Sequence, residues 1–208
     1  MFGRLLFLTA WLLLLGSPAL FAFDHKDLTR LLKTGACDHC NLIYSELEGA
    51  DLREVVLQKA MLTGSNLRWV NLSHANLHAT VLDGADLKNA NLKAADLSKA
   101  FVKKSDLSHS DMQLADMEGI YAVEADFSWS NLREANLKAA NLKGAILMGT
   151  NLRNTNLQRA NLKGAYLEKA DLTGADLEDA YIDGAYLVNA TWIDGSTCGD
   201  ESIGRCVP

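Results

Sequence analysis

The stretch Ala85-Asp86-Leu87-Lys88-Asn89-Ala90-Asn91-Leu92 contains one five-residue unit and the beginning of the next. The unit recurs without insertion or deletion from Cys40 to Trp192, so its central residue appears thirty-one times. Twenty-four of these central residues are Leu. Ala stands two residues before the centre nineteen times, and Asp or Asn stands between the two positions twenty times. One period therefore organises most of the chain.

A period of five fits neither an α-helix nor a flat β-strand. In a helix the central residues would spread around the whole circumference, and in a strand they would alternate between opposite faces. A path that turns a corner every five residues keeps all of them on one side. Stacked coils of such a path pair their backbones at a spacing of about 4.8 Å. We therefore expect Leu and Ala to point inward, and Asp or Asn to point outward at corners.

The unit Ala-Asp/Asn-Leu-x-x resembles that of the pentapeptide-repeat family, and the resemblance covers residues 40–192. It implies an all-β fold, a right-handed quadrilateral β-helix with four repeats per coil. Thirty-one repeats then give about eight coils and a rod about 37 Å long. A signal of period twenty supports four sides. It is carried by glycines separated by multiples of twenty residues, namely Gly64, Gly84, Gly144, Gly164 and Gly184.

Residues 1–22 are typical of a secretory signal peptide. Arg4 precedes an apolar run from Leu5 to Leu15, and small residues near Ala22 suit a cleavage site. The alternative is an uncleaved membrane anchor, because the apolar segment is almost long enough to span a bilayer. We predict an exported protein, located in a periplasm, outside the cell or in a lumen-like compartment.

An open solenoid needs a cap at each end. Residues 23–39 are predicted to form the N-terminal cap, with a short helix that begins at Asp24 and stops at Gly35. Residues 40–192 form the β-helix, and residues 193–208 form a turn-rich C-terminal cap. Trp192 and Ile203 are candidates to cover the last coil.

The four cysteines lie only in these caps, at Cys37, Cys40, Cys198 and Cys206. Four cysteines allow three pairings. The rod separates its ends by about 35 Å, whereas a disulfide needs Cα atoms within about 7 Å. The prediction is therefore Cys37–Cys40 and Cys198–Cys206, oxidised after export. A redox site at Cys37 and Cys40, or a zinc site at Cys37, His39 and Cys40, is the less favoured alternative, since zinc would need a fourth ligand and none is near in sequence.

The sequence predicts no catalytic, cofactor or metal site. Its Asp residues mark the repeat, and serines such as Ser105 and Ser110 occupy the inward small position. The net charge of −6 excludes a strongly basic protein that coats nucleic acid. We therefore predict that the chain is not an enzyme.

Bulky apolar residues replace Asp or Asn at several outward positions, and large aromatic residues occupy some corners. Exposed apolar patches often mark an interface. The alternative is that these side chains only stabilise the stacking of coils, as cross-strand pairs do in sheets. The candidate partner-binding residues are Met61, Val81, Phe101, Tyr121 and Tyr181 on one side, Tyr166 and Tyr186 on the adjoining side, and Trp69 and Trp129 in a corner column.

The favoured function is an exported protein-interaction or scaffold module, with a protein partner, no nucleic acid and no membrane span after signal cleavage. It could equally be an accessory part of a larger envelope enzyme. The alternative is a DNA mimic that binds DNA gyrase, as some members of the resembled family are. Export disfavours this alternative, and so do the nineteen Lys and Arg residues after the signal peptide.

Overall fold

The computed structural model describes residues 24–208, and the predicted signal peptide at 1–22 lies outside this range. One helix, α1, spans His25–Thr34. In the rest of the described chain the β-structure consists of single-residue bridges, with two turn residues at each corner. No helix within residues 24–208 is long and apolar enough to cross a bilayer.

The bridges show that one coil contains four repeats, as the sequence predicts. Each parallel bridge joins a residue to the one twenty positions later, and the bridges form four columns of eight outward residues. Every column lies on its own side of the coil, so the rod has four sides and eight coils. We number the sides by the first and last residues of their columns: side I from Ala36 to Asp176, side II from Asn41 to Tyr181, side III from Glu46 to Tyr186, and side IV from Asp51 to Thr191.

A repeat with the consensus sequence uses all five of its backbone N–H groups, and this explains the consensus. In the repeat centred on Leu87, three N–H groups bond to neighbouring coils and one closes a turn. The fifth, from the first corner residue, donates to the outward carboxylate. These bonds run from Asp86 N to Ser65 O (3.0 Å), Leu87 N to Asp106 O (2.7 Å), Asn89 N to Ser108 O (3.0 Å), Ala90 N to Leu87 O (3.0 Å) and Lys88 N to Asp86 Oδ1 (3.1 Å).

The outward Asp or Asn is thus a structural element of the turn. Nineteen of the twenty outward Asp and Asn residues of the repeats are seen to accept this bond from the residue two positions later. Such a bond satisfies a backbone donor that the coil-to-coil hydrogen bonds do not use. The carboxylate of the twentieth, Asp51, binds the guanidinium of Arg53 at 2.6 Å.

The interior is filled by the central and inward small residues, which are almost all fully buried. At five of the eight inward Ser and Thr positions, the hydroxyl donates to a carbonyl of the preceding coil. Ser65 Oγ donates to Leu42 O at 2.9 Å, and Thr150 Oγ1 donates to Phe127 O at 2.8 Å. Ser110 Oγ donates to Leu107 O of its own coil and Ser45 Oγ donates to Ser65 Oγ, whereas Ser130 Oγ is buried without a hydrogen-bond partner among the described residues. The inward serines are therefore core residues, and most of their hydroxyls are satisfied.

Helix α1 lies against the first coil. Asp24 caps the helix by accepting from Lys26 N at 2.8 Å, and Gly35 ends it at a φ of 67°. Leu31 is buried in the core, and Asp27 Oδ2 accepts from Asn41 N at 2.8 Å. The carboxylate of Asp27 thus joins the helix to the coil rather than closing the first helical turn.

The C-terminal tail folds back over the last coil after Trp192. Thr197 pairs antiparallel with Thr191, and Ile203 pairs antiparallel with Tyr186. These pairs cover sides III and IV of the final coil. Trp192 packs against the core, whereas the side chain of Ile203 is exposed.

Candidate protein-interaction surface

Four outward residues of side II form one continuous apolar column. Met61, Val81, Phe101 and Tyr121 are successive bridge partners on four coils, so the column is about 15 Å long. Met61 is 43% exposed, Phe101 44% and Tyr121 37%, while Val81 is half-buried. We name these four residues the apolar ladder.

The apolar ladder forgoes the turn bond that the consensus repeat makes. An aliphatic or aromatic carbon chain cannot accept the N–H of the first corner residue, as Asp or Asn does in other repeats. Only the repeat of Phe101 replaces this acceptor with another side chain, since Lys103 N donates to Asp83 Oδ1 of the preceding coil at 2.8 Å. A net hydrogen bond contributes about 0.5–1.5 kcal/mol, so the ladder lowers the stability of its own turns.

Contacts within the ladder return part of this stability. The rings of Phe101 and Tyr121 lie 6.0 Å apart at an angle of 44°. Aromatic pairs at such separations contribute roughly 0.5–1.5 kcal/mol beyond their burial. Met61 and Val81 have no ring to stack, so stacking does not account for the whole ladder.

Exposed charged residues border the ladder. Lys99 and Lys103 lie two residues to either side of Phe101, and Lys104 pairs with Glu124 at 3.5 Å. An apolar centre with a charged, solvated rim is the usual arrangement of a protein–protein interface.

Tyr181 is not continuous with the ladder. It lies on side II and is 62% exposed, but Asn141 and Asn161 separate it from Tyr121. The structure therefore places it at the C-terminal end of the rod. Tyr166 and Tyr186 form a separate pair on side III, with ring centres 5.0 Å apart and planes within 7°.

The two corner tryptophans are also separate from each other. Trp69 and Trp129 share one column but lie three coils apart, and both are more than half exposed. The ring of Trp129 covers Gly149, where a Cβ atom would lie 2.5 Å from it. Tyr44, which sequence analysis did not single out, covers Gly64 in the same way. An aromatic corner residue followed twenty positions later by glycine is the signal that identifies such contacts.

The N-terminal cysteines lie next to a carboxylate. Cys37 and Cys40 are joined in a disulfide, as Cys198 and Cys206 are, with Cα atoms 5.3 Å and 5.0 Å apart. Ligand atoms of Asp27, Cys37 and Cys40 lie within 4.8 Å of one another. Asp27 is distant from both cysteines in sequence, and helix α1 brings it to them. Sulfurs bonded to each other offer no thiolate to a metal.

Side IV is polar and its charges are paired locally. Arg53 contacts Asp51 at 2.6 Å, Arg153 contacts Asp171 at 3.1 Å, and Arg133 binds its neighbour Glu134 at 2.8 Å. Hydrogen bonding to Asp51 raises the pKa of Arg53 above its ordinary value. Three of the four basic residues that follow the outward column of this side, Arg53, Arg133 and Arg153 but not Lys93, are therefore balanced by adjacent carboxylates.

Comparisons with known proteins agree with this architecture. The family model of pentapeptide repeats matches eight copies over residues 37–68, 71–108, 110–149, 123–159 and 155–191. No curated protein matches the chain significantly.

Several solved structures are similar. HetL from the cyanobacterium Nostoc sp. strain PCC 7120, described as involved in heterocyst differentiation regulation, is 27% identical, with 85% of this chain and 100% of HetL covered and a TM-score of 0.28. Trypsin-treated QnrB1, a plasmid-mediated fluoroquinolone resistance protein, is 20% identical over 82% of this chain and 83% of QnrB1, with a TM-score of 0.49. Rfr23 from the cyanobacterium Cyanothece 51142 is 28% identical, with 80% of this chain and 97% of Rfr23 covered and a TM-score of 0.36. The family match spans most of the repeats described above, and the chain belongs to the pentapeptide-repeat family.

Proposed function

We propose that this chain is an exported, non-enzymatic module that binds a protein partner through the apolar ladder. The observation that carries the proposal is the loss of the turn acceptor at four successive outward positions of one side. A column that served stability alone would keep Asp or Asn, which both satisfies the turn and remains soluble. Exposed Met, Phe and Tyr residues inside a charged rim instead favour contact with another protein.

Export is supported by two independent features. The first is the charge and apolar pattern of residues 1–22. The second is the placement of all four cysteines in the caps, where the distances suit two local disulfides. Such bonds persist in oxidising compartments and are rare in a reducing cytosol. We expect the mature protein in a periplasm, a lumen-like compartment or the extracellular medium.

Affinity capture from the exported fraction tests the ladder. Wild type is compared with a Phe101→Asp, Tyr121→Asp double variant, which places two charges on the ladder without touching the core. An Asn91→Asp, Asn131→Asp variant is the matched control, because it adds the same charge to side IV and keeps both turn acceptors. We expect the ladder variant to lose a protein that wild type and control both retain. If all three capture the same proteins, the ladder is not the binding surface.

Fractionation tests export separately. We expect a mature protein that begins near residue 23, outside the cytoplasm, with no thiol available for alkylation before reduction. A cytoplasmic, uncleaved protein with free thiols would overturn export. It would also revive the gyrase-binding alternative, which a supercoiling assay with purified gyrase can then test.

A further inference from the structure

At the C-terminal end of the rod, residues 193–208 of the described chain form bridges to only two of its four sides. Gly204 of the tail also approaches side II, where a Cβ atom would lie 3.2 Å from Gly184 N. The columns of sides III and IV continue into the antiparallel pairs Tyr186–Ile203 and Thr191–Thr197. The columns of sides I and II end at Asp176 and Tyr181, with no further bridge within residues 24–208. Residues 176–184 therefore form a half-coil that we name the open edge.

The open edge presents backbone N–H and C=O groups at the positions where a further coil would form hydrogen bonds with them. In the coils below, the N–H of each central residue donates to the next coil, as Leu157 N does to Asp176 O at 2.8 Å. Within the described part of the chain, the corresponding N–H groups of Leu177 and Ile182 have no partner, nor does the carbonyl of Ala180. The side chains of all three residues are only partly buried. An edge of this kind is a template for an added strand.

Charge is concentrated at the same end. Residues 170–208 contain eight Asp and Glu but a single Lys or Arg, Arg205, whereas residues 1–169 contain eighteen acidic and nineteen basic residues. The net negative charge of the protein thus arises from the C-terminal end. Four exposed carboxylates lie on the open edge itself, at Asp176, Glu178, Asp179 and Asp183.

An aromatic side chain and a depression adjoin these carboxylates. Tyr181 is the most exposed large apolar side chain of those in the described chain. With Arg159, Asp179 and Ala180 it lines an open depression of about 550 Å³. A tyrosine ring beside carboxylates offers a cationic side chain both charge pairing and a cation–π contact.

We propose that the open edge binds an extended, basic segment of another polypeptide by strand addition. The unpaired backbone groups provide main-chain hydrogen bonds, and the four carboxylates select Lys and Arg side chains. The same charges disfavour a second copy of this chain, since two acidic edges repel each other. This site is separate from the apolar ladder and does not depend on the function proposed for it.

The experiment uses a synthetic peptide of defined chemistry, fluorescein-labelled Lys-Val-Lys-Val-Arg-Val-Lys-amide, with the full mature protein. Binding is measured by fluorescence anisotropy, and protection of backbone amides by hydrogen exchange. We expect saturable binding that slows the exchange of the Leu177 and Ile182 amides. A peptide with the same charges but N-methylated valines, which cannot donate to the Ala180 carbonyl, should bind about tenfold more weakly or worse.

Matched variants locate the site. Asp179→Asn, Asp183→Asn should weaken binding about tenfold, while Asp106→Asn, Asp111→Asn removes the same charge from the middle of the rod and should leave it unchanged. The ladder variant Phe101→Asp, Tyr121→Asp should bind the peptide as wild type does. Equal binding of the N-methylated peptide, or equal weakening by both charge variants, would overturn the proposal. So would a dimer in sedimentation equilibrium whose formation protects residues 176–184 without peptide.

Discussion

Side II and side IV of the rod rest on the same core and the same register, yet their surfaces differ. Side IV has Asp or Asn at seven of its eight outward positions, whereas side II has Asn at three and large apolar residues at five. The central residues behind both sides are fully buried, except Ile182 and Trp192 in the last coil, which are partly buried. The comparison shows that the outward column can change without altering the coil. Each change removes the turn acceptor of that repeat, and within the apolar ladder another side chain replaces it only in the repeat of Phe101.

The strongest test of the shared core is to remove the same side-chain volume behind each side. Leu82→Ala lies behind side II and Leu92→Ala behind side IV, and both leucines are fully buried. We expect each to lower the free energy of unfolding by about 2–5 kcal/mol, from lost burial and the cavity left behind. Urea denaturation followed by circular dichroism measures both. A much smaller effect on one side would mean that the two sides do not share one core.

Exchanging the outward residues of the opposite sides II and IV tests the turn bond. Asn91→Val removes the acceptor of Lys93 N, a bond of 3.1 Å, and should destabilise the protein by about 1 kcal/mol. Val81→Asn supplies an acceptor to Asp83 N and should stabilise it by a similar or smaller amount. Denaturation midpoints and the amide exchange rates of residues 83 and 93 check both expectations. If Asn91→Val is neutral, the argument that the ladder lowers turn stability is wrong.

The smallest expected difference between the sides is in how their contributions to stability depend on pH. Burial by itself would raise the pKa of Asp171 on side IV. Hydrogen bonds from Thr173 and Arg153 outweigh burial, so this pKa lies below its ordinary value. A lowered pKa stabilises the fold above the unfolded-state value of about 3.9, and the contribution is lost as the pH falls through the folded-state pKa.

The stability difference between wild type and Asp171→Asn should therefore shrink between pH 6 and pH 3. Phe101→Asn on side II is the control, because neither its wild-type nor its variant side chain titrates. An NMR titration of the Asp171 carboxyl checks the pKa directly. A midpoint at or above that of an ordinary Asp would contradict this account.

The periodic part of the molecule could be predicted from the sequence, because each repeat sees the same surroundings. Leu at the centre and Ala before it identified the core, and the phase of twenty placed Met61 and Tyr121 in one column. The family match confirms the recognition of the fold. The specific hydrogen bond that the outward Asp and Asn accept was not predicted. The preference of these residues for turns does not show which backbone N–H group donates to them.

The ends could be predicted only in outline, because they depend on contacts that the repeat does not contain. Composition indicates caps at both ends, but not that Asp27 reaches Asn41 or that the described tail forms bridges only to sides III and IV. Tyr181 was grouped with the ladder because it occupies the same position in the twenty-residue period. The position of a residue within the twenty-residue period predicts the side on which it lies. Only the polar residues between Tyr121 and Tyr181 in that column show that Tyr181 belongs to a different patch.

The repeat has a period of five residues and the coil a period of twenty, and the two periods limit differently which insertions the fold accepts. Inserting one five-residue repeat would preserve the core, because every central residue would still face inward. It would also turn all that follows by one side, so that Tyr121 would leave the column of Phe101 and the open edge would move to another corner. Only an insertion of twenty residues, one whole coil, would lengthen the rod and keep its surface columns aligned. Residues far apart on this surface are thus held in alignment by the number of residues between them.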